Sequence, residues 1–135
     1  MKIKLILTSL FFFCWAQFSY AQEPVEEEEP LQWFQVEKKA EFPGGDAALN
    51  KYISENFRFS DSALENAKSG VLMVSFVIEK NGSVSNVKIV STDKLGYGLE
   101  EEALRLFRTM PKWKPAVQRD QPVRMRFSKP VRLTF

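Results

Sequence analysis

Residues 71–78 and 84–90 flank an Asn81-Gly82 pair, and this arrangement constrains the fold more than any other stretch of the chain. Asn-Gly between two runs rich in Val and Ile is a strong short-range signal for a β-hairpin, because both turn positions accept positive φ. A two-residue turn sets Lys80 opposite Ser83, and hence Val74 against Ile89, Phe76 against Val87 and Ile78 against Ser85. One face is then almost wholly apolar. The other pairs Ser75 with Lys88 and Val77 with Asn86, a mixed surface only partly suited to water. A lone hairpin is at best marginal in water, so the rest of the chain has to cover the apolar face.

Three helical patterns and one further strand are available for this. After Phe42-Pro43-Gly44-Gly45, residues Leu49, Tyr52, Ile53 and Phe57 recur at helical spacing, with Asp46 placed to cap the first amides. The glycine pair lacks the Walker spacing and follows no nucleotide-binding strand, so it reads as structural. Residues 60–68 predict a shorter helix capped by Ser60 or Asp61, with Ala63, Leu64 and Ala67 on its apolar side and Gly70 releasing the chain. Leu99, Ala103, Leu106, Phe107 and Met110 share one stripe of a further helix. Its acidic start at Glu100, Glu101 and Glu102 and basic end at Arg105 and Arg108 suit the helix dipole; Glu101 and Arg105 stand at i,i+4, and Pro111 stops the helix. Trp113, between Lys112 and Lys114, is placed to close the edge of the core, with a ligand-stacking platform as the alternative.

Val123, Arg124, Met125, Arg126 and Phe127 alternate apolar and basic residues with period two, and Val131, Leu133 and Phe135 continue the apolar series. Pro130 has no N–H for a sheet ladder and favours an edge position. The expected fold is α+β: a small three-stranded antiparallel sheet with two helices packed on one face.

The first residues read as an export address. Lys2 and Lys4 precede an apolar run at residues 5–18, and Ser19-Tyr20-Ala21 supplies a cleavage signal after Ala21. The alternative is an uncleaved inner-membrane anchor at residues 5–18, but a span needs about 20 apolar residues. The single cysteine, Cys14, lies within that run, behind Phe11-Phe12-Phe13, which lack the small residues expected ahead of a lipidated cysteine. Residues 22–36 form an acidic linker, with Glu23, Glu26, Glu27, Glu28 and Glu29 punctuated by Pro24 and Pro30, expected to stay solvated. Residues 37–135 form one basic domain, 17 Lys and Arg against 12 Asp and Glu, a net +5. Outside the cytoplasm this charge does not point to nucleic acid.

Catalysis is disfavoured by the residue inventory. The chain has no histidine and, once the leader is cut, no cysteine, so the usual general base, thiol nucleophile and transition-metal ligands are missing. A carboxylate pair among Asp61, Glu65, Asp93 and Glu100 is the remaining enzymatic option, and each has a simpler role as cap or surface. No enzyme, metal or cofactor is expected.

Four motifs in order carry a resemblance to a known family: FPGG at 42–45, SGVLMVSFVIEKNGSVSNVKIV at 69–90, EEALRLFRTMPKWKPA at 101–116 and PVRMRFSKPVRLTF at 122–135. Together they resemble the TonB carboxy-terminal domain across nearly the whole predicted domain. The family's Tyr-Pro step after the first helix is replaced here by Phe59-Ser60. The resemblance implies a periplasmic, protein-binding module of the TonB energy-transduction system, which grips a TonB-box peptide of an outer-membrane receptor as an added strand and so supports transport. The edge implied for that grip is Val123, Arg124, Met125, Arg126, Phe127 and Ser128, with Arg58, Phe59 and Trp113 as secondary contacts. Independently, an edge strand offers unpaired backbone groups, and Arg124 and Arg126 suit an acidic peptide. Contact with the inner-membrane motor would run through another protein, since the fifteen residues from Gln22 to Val36 reach only roughly 50 Å when fully extended. A homodimer through the open edge is a further expectation. The competing function is an envelope scaffold or cell-wall-binding domain without a transport role.

Overall fold

The computed structural model describes residues 28–91 and 93–135. The expected leader and residues 22–27 of the acidic tract lie outside the described residues. The elements run β1 (Leu31–Gln32), α1 (Asp46–Asn56), α2 (Asp61–Asn66), β2 (Gly70–Ile78), β3 (Val84–Ile89), α3 (Leu99–Arg108), β4 (Ala116–Gln118), β5 (Gln121–Val123) and β6 (Met125–Leu133). The fold is the expected α+β type, but among the described residues the sheet has four strands rather than three, in the order β1-β6-β2-β3, and β4 and β5 make a separate hairpin. The added strand, β1, lies parallel to β6 and within the stretch expected as linker. At two residues it is too short to show any alternation in the sequence.

The hairpin keeps its expected register where the core needs it. Val74 faces Ile89 and Ser75 faces Lys88, but nearer the turn Val77 meets Ser85 and Ile78 meets Val84, one step from expectation. Two local departures cancel. The turn is a three-residue loop, closed by Glu79 N–H on Ser83 O and Gly82 N–H on Glu79 O, each at 2.8 Å. A bulge at Asn86, whose φ is 48°, then absorbs the extra residue. Gly82 has φ 86°, and a Cβ there would stand 2.0 Å from the Trp113 carbonyl oxygen. Only glycine lets the turn come this close, and Trp113 N–H donates to Gly82 O at 2.8 Å.

Phe76 is the centre of the core. Its ring lies 5.1 Å from Phe107, 5.5 Å from Trp113 and 5.7 Å from Phe127. Leu72, Val74 and Ile78 on the same sheet face join Leu49, Ile53 and Phe57 of the α1 region and Leu99, Ala103 and Leu106 of α3 in one buried cluster. Each Leu, Ile, Val or Phe side chain among these contributes about 1.5–3 kcal/mol on leaving water.

The helices form where expected, with local differences. Gly45, not Asp46, is the N-cap of α1, and Asp46 sits in the first turn, where its charge still suits the dipole. Ser60 caps α2 by accepting from Ala63 N–H at 3.1 Å. Leu64, expected on the buried side of α2, is 60% exposed, because this six-residue helix buries only Ala63. In α3 Arg105 pairs with Glu102 rather than Glu101, because its guanidinium also reaches Asn56 O at 3.1 Å and so turns toward the end of α1.

The run expected as one strand from Val123 is split. Arg119 and Asp120, with φ of 48° and 60°, make a tight turn that folds β5 back on β4, pairing Val123 with Ala116. After Arg124 the chain enters β6, which pairs with β2 along its whole length, from Met125 opposite Ile78 to Leu133 opposite Gly70.

Candidate functional site: the open rim of the last strand

The direction of each backbone group on β6 follows from the ladders around it. Met73 O accepts from Val90 N–H at 2.9 Å, so odd-numbered residues of β2 turn their polar groups to β3 and even-numbered ones turn to β6. In the β2–β6 register Leu72, Val74, Phe76 and Ile78 face Val131, Lys129, Phe127 and Met125. Those odd positions of β6 therefore bond to β2, and the even positions, Arg126, Ser128, Pro130 and Arg132, point away from it. Arg124 O confirms the parity by accepting from Leu31 N–H on the outer side at 3.0 Å. Pro130 lies opposite Met73, outside the hydrogen-bonded set, so its missing N–H removes no β2 bond.

This outer rim falls into two halves. At Met125 and Arg126 it is occupied by β1, with Leu31 opposite Met125 and Gln32 opposite Arg126. At Gln32 the chain turns off the sheet through a bond from Gln35 N–H to Gln32 O of 2.8 Å. From Ser128 to Arg132 no strand of the described residues pairs on the outer side. Ser128 and Arg132 there each present a donor and an acceptor, and Pro130 an acceptor only.

A groove of about 560 Å³ runs along this open half. One wall is Lys129, Pro130, Val131, Arg132, Leu133 and Thr134; the other is Asn50, Ile53 and Ser54 of α1 with Phe57 and Phe59 beyond it. Phe59 is 38% exposed and stacks 5.1 Å from Phe57 and 5.3 Å from Phe135, itself 44% exposed. The helix wall is fixed from behind. Glu102 accepts from Arg58 N–H at 2.7 Å and pairs with Arg105, and these contacts hold the chain just after α1 against α3. The Arg105 hydrogen bond, with the Arg58 amide adding to it and burial opposing, keeps the Glu102 carboxyl below the ordinary carboxylate range.

The six residues expected to form the rim take different positions. Val123 is in β5; Met125 and Arg126 lie under β1; Phe127 bonds inward to β2; Ser128 begins the open half. Arg124 forms a fork on Glu79, with Nε to Oε2 at 2.7 Å and Nη2 to Oε1 at 3.1 Å, while its Nη1 donates to Glu28 O at 2.6 Å. That fork, helped by Ser85 and opposed by burial, holds the Glu79 carboxyl below its usual range. Of the secondary contacts, Phe59 lines the groove, Arg58 lies beside it, and Trp113 is 5% exposed in the core between Phe42 and Phe76. Lys129, Pro130 and Arg132 were not singled out as site residues from sequence; the parity of the ladder, once β2 is known to be central, is the signal that finds them. Among the described residues no group of three His, Cys, Asp or Glu side chains is placed to hold a metal ion, and no helix is long and apolar enough to cross a membrane.

Fold and rim together define a class, a small α+β domain whose accessible feature is an unpaired strand edge beside a helix. The chain belongs to the family of the Gram-negative bacterial TonB protein C-terminal domain, which matches residues 55–134, more than half of its length. In TonB systems this protein-interaction domain meets outer-membrane receptors. Two solution structures of the Helicobacter pylori TonB C-terminal domain are similar to it. The one spanning residues 179–285 of that protein is 23% identical, covers 69% of this chain and 86% of its own, and has a TM-score of 0.47. The one spanning residues 194–285 is 24% identical, covers 65% and 90%, and has a TM-score of 0.44. No curated protein matches this chain.

Proposed function

We propose that this domain is a periplasmic protein-binding module that takes an extended segment of an outer-membrane receptor as an added strand along the open half of β6. The observation that carries the reading is the unpaired run of outward backbone groups at Ser128, Pro130 and Arg132, set beside the α1 groove. An added strand supplies the missing ladder, and every second side chain of the guest turns toward Ile53, Phe57 and Phe59. Arg126, Lys129 and Arg132 give the rim a positive field that draws an acidic segment and raises its association rate. The grip supports transport by coupling receptor to envelope machinery, and contact with inner-membrane motor components runs through a further protein.

Ser128→Pro tests this directly. The Ser128 N–H points outward, so the proline removes a donor from the guest ladder and leaves the β2 bonds intact, as Pro130 does two residues on. Titration with an acidic peptide of alternating Thr and Val should show at least a tenfold loss of affinity at unchanged melting temperature, about one backbone bond plus the steric cost of the ring. Unchanged peptide affinity in the proline variant would sink the proposal. If Arg126→Ala and Arg132→Ala weakened binding to cell-wall polymer while Ser128→Pro did nothing, the scaffold or wall-binding function would take its place.

A further inference from the structure

The occupied half of the rim carries a consequence for how the open half is used. β1 is a very short strand, and Leu31, Trp33 and Phe34 take no part in the buried core of the described residues. Trp33 and Phe34 are 42% and 67% exposed. Among the described residues, the contacts that hold residues 28–32 in place are few and mostly polar: the two-residue ladder on β6 with Leu31 N–H on Arg124 O, Gln32 N–H on Gln35 Oε1, Glu28 O under Arg124 Nη1, and a Lys80–Glu28 pair at 3.2 Å whose side chains are 54% and 80% exposed. Such an exposed pair contributes little. Beyond the turn the chain is fastened far better, by reciprocal bonds of Lys38 with Val117 and Glu41 with Lys114, all between 2.8 and 3.1 Å. The segment is thus a short strand on a firm tether, lying on the same outward groups that the open half offers further along.

We propose that residues 28–32 are an internal guest of the β6 rim, and that a partner segment long enough to pair with the whole rim has to displace them. This rests on the peptide-binding reading above and gives that site its regulation. In place, β1 limits the outward ladder to Ser128, Pro130 and Arg132; once released, the ladder runs from Arg124 to Arg132 without a register break. A tethered competitor acts at an effective concentration near the millimolar range, so even a weak strand lowers the apparent affinity of a long guest. It leaves a short guest untouched. The Glu28-Glu29-Pro30-Leu31-Gln32 sequence also shows the chemistry that this end of the rim accepts: an acidic entry beside Lys80, then an extended pair parallel to β6.

The full chain carrying Leu31→Pro, which deletes the donor to Arg124 O, is compared with the parent. Two acidic Thr/Val-alternating peptides serve as probes, one of about five residues to cover 128–132 and one of about nine to cover 124–132. Amide exchange reports the strand itself. The Arg126 N–H faces β1 and should lose protection in the variant, while the Lys129 N–H, facing β2, keeps it and shows that the domain remains folded. The expected result is roughly tenfold tighter binding of the long peptide to the variant and equal binding of the short one. Equal affinity of parent and variant for the long peptide, with Arg126 deprotected, overturns the displacement and leaves the peptide-binding reading standing. If neither peptide binds either protein, the peptide-binding reading fails and the regulatory role falls with it. If Arg126 is as unprotected in the parent as in the variant, β1 is no competitor and the inference is overturned on that ground alone.

Discussion

Beyond the short β1, the sheet of the described residues presents two rims, one along β6 and one along β3, and only one of them makes a regular template. On the β6 side the outward groups recur at every second residue from Arg124 to Arg132, with no shift in the β2–β6 register and one missing donor at Pro130. On the β3 side Ser83 and Ser85 bond inward near the turn, whereas Lys88 and Val90 do so further along, so the period breaks at the Asn86 bulge. A guest strand laid on β3 would lose its register midway. Exposed Lys88 adds a charge to the same rim, the usual device against edge-to-edge pairing. The difference teaches that an edge becomes a usable template for a further strand through regularity as much as through exposure.

The largest expected effect comes from breaking the feature that both rims share. Gly82→Ala puts a Cβ against the Trp113 carbonyl at a positive φ, so the turn, the Trp113 seat and both strands lose their frame. The cost should be about 3 kcal/mol or more, read as a fall in the midpoint of urea unfolding. Deleting Asn86 sharpens the contrast from the other side. The three-residue loop then leads straight into Val87 opposite Phe76, Lys88 opposite Ser75 and Ile89 opposite Val74, a regular β3 with every core pair kept. Self-association by sedimentation should increase by about tenfold or more, because the blunted rim becomes a second template.

Smaller effects concern the wall and the clamp. Phe59→Ala removes the half-exposed ring from the α1 side of the groove and should weaken peptide binding by about threefold to tenfold, with a small change in melting temperature. Acid provides the mildest test. Glu79 and Glu102 have folded-state pKa values below their unfolded ones, so their stabilisation is complete above the unfolded values and is lost as pH falls through the lowered, folded ones. Amide exchange at Arg126, beside the Arg124–Glu79 fork, should therefore quicken on acidification across the carboxylate range while Lys129 holds, after correction for the intrinsic pH dependence of exchange.

Much of the frame was legible because it depends on local periodicity. The alternation around Asn81-Gly82 placed β2 and β3, and the stripe of Leu99, Ala103, Leu106 and Phe107 placed α3, all four of which are buried. The three-residue loop was not legible, since Asn-Gly suits more than one turn length and the choice depends on Gly82 meeting the distant Trp113 backbone. The β4–β5 turn was hidden in Arg119-Asp120, a pair without glycine that nevertheless adopts positive φ. For the candidate site, the last strand and its proline were readable as an edge. Which half of that edge stays open was not, because it is fixed by Leu31 and Gln32, remote in sequence and without a pattern of their own.

The sequence by itself determined the elements, their order, the apolar face of the hairpin and the membership of the chain in its family, because side-chain period and turn chemistry act between near neighbours. Only the tertiary structure decided that β2 lies at the centre, that Arg124 is bound into a fork with Glu79, and that the outward groups of β6 are divided between an internal strand and a run at Ser128, Pro130 and Arg132 that no strand of the described residues pairs. Backbone polarity on a strand alternates regardless of the residues that carry it. Which set points outward is therefore settled only when the neighbouring strand is in place.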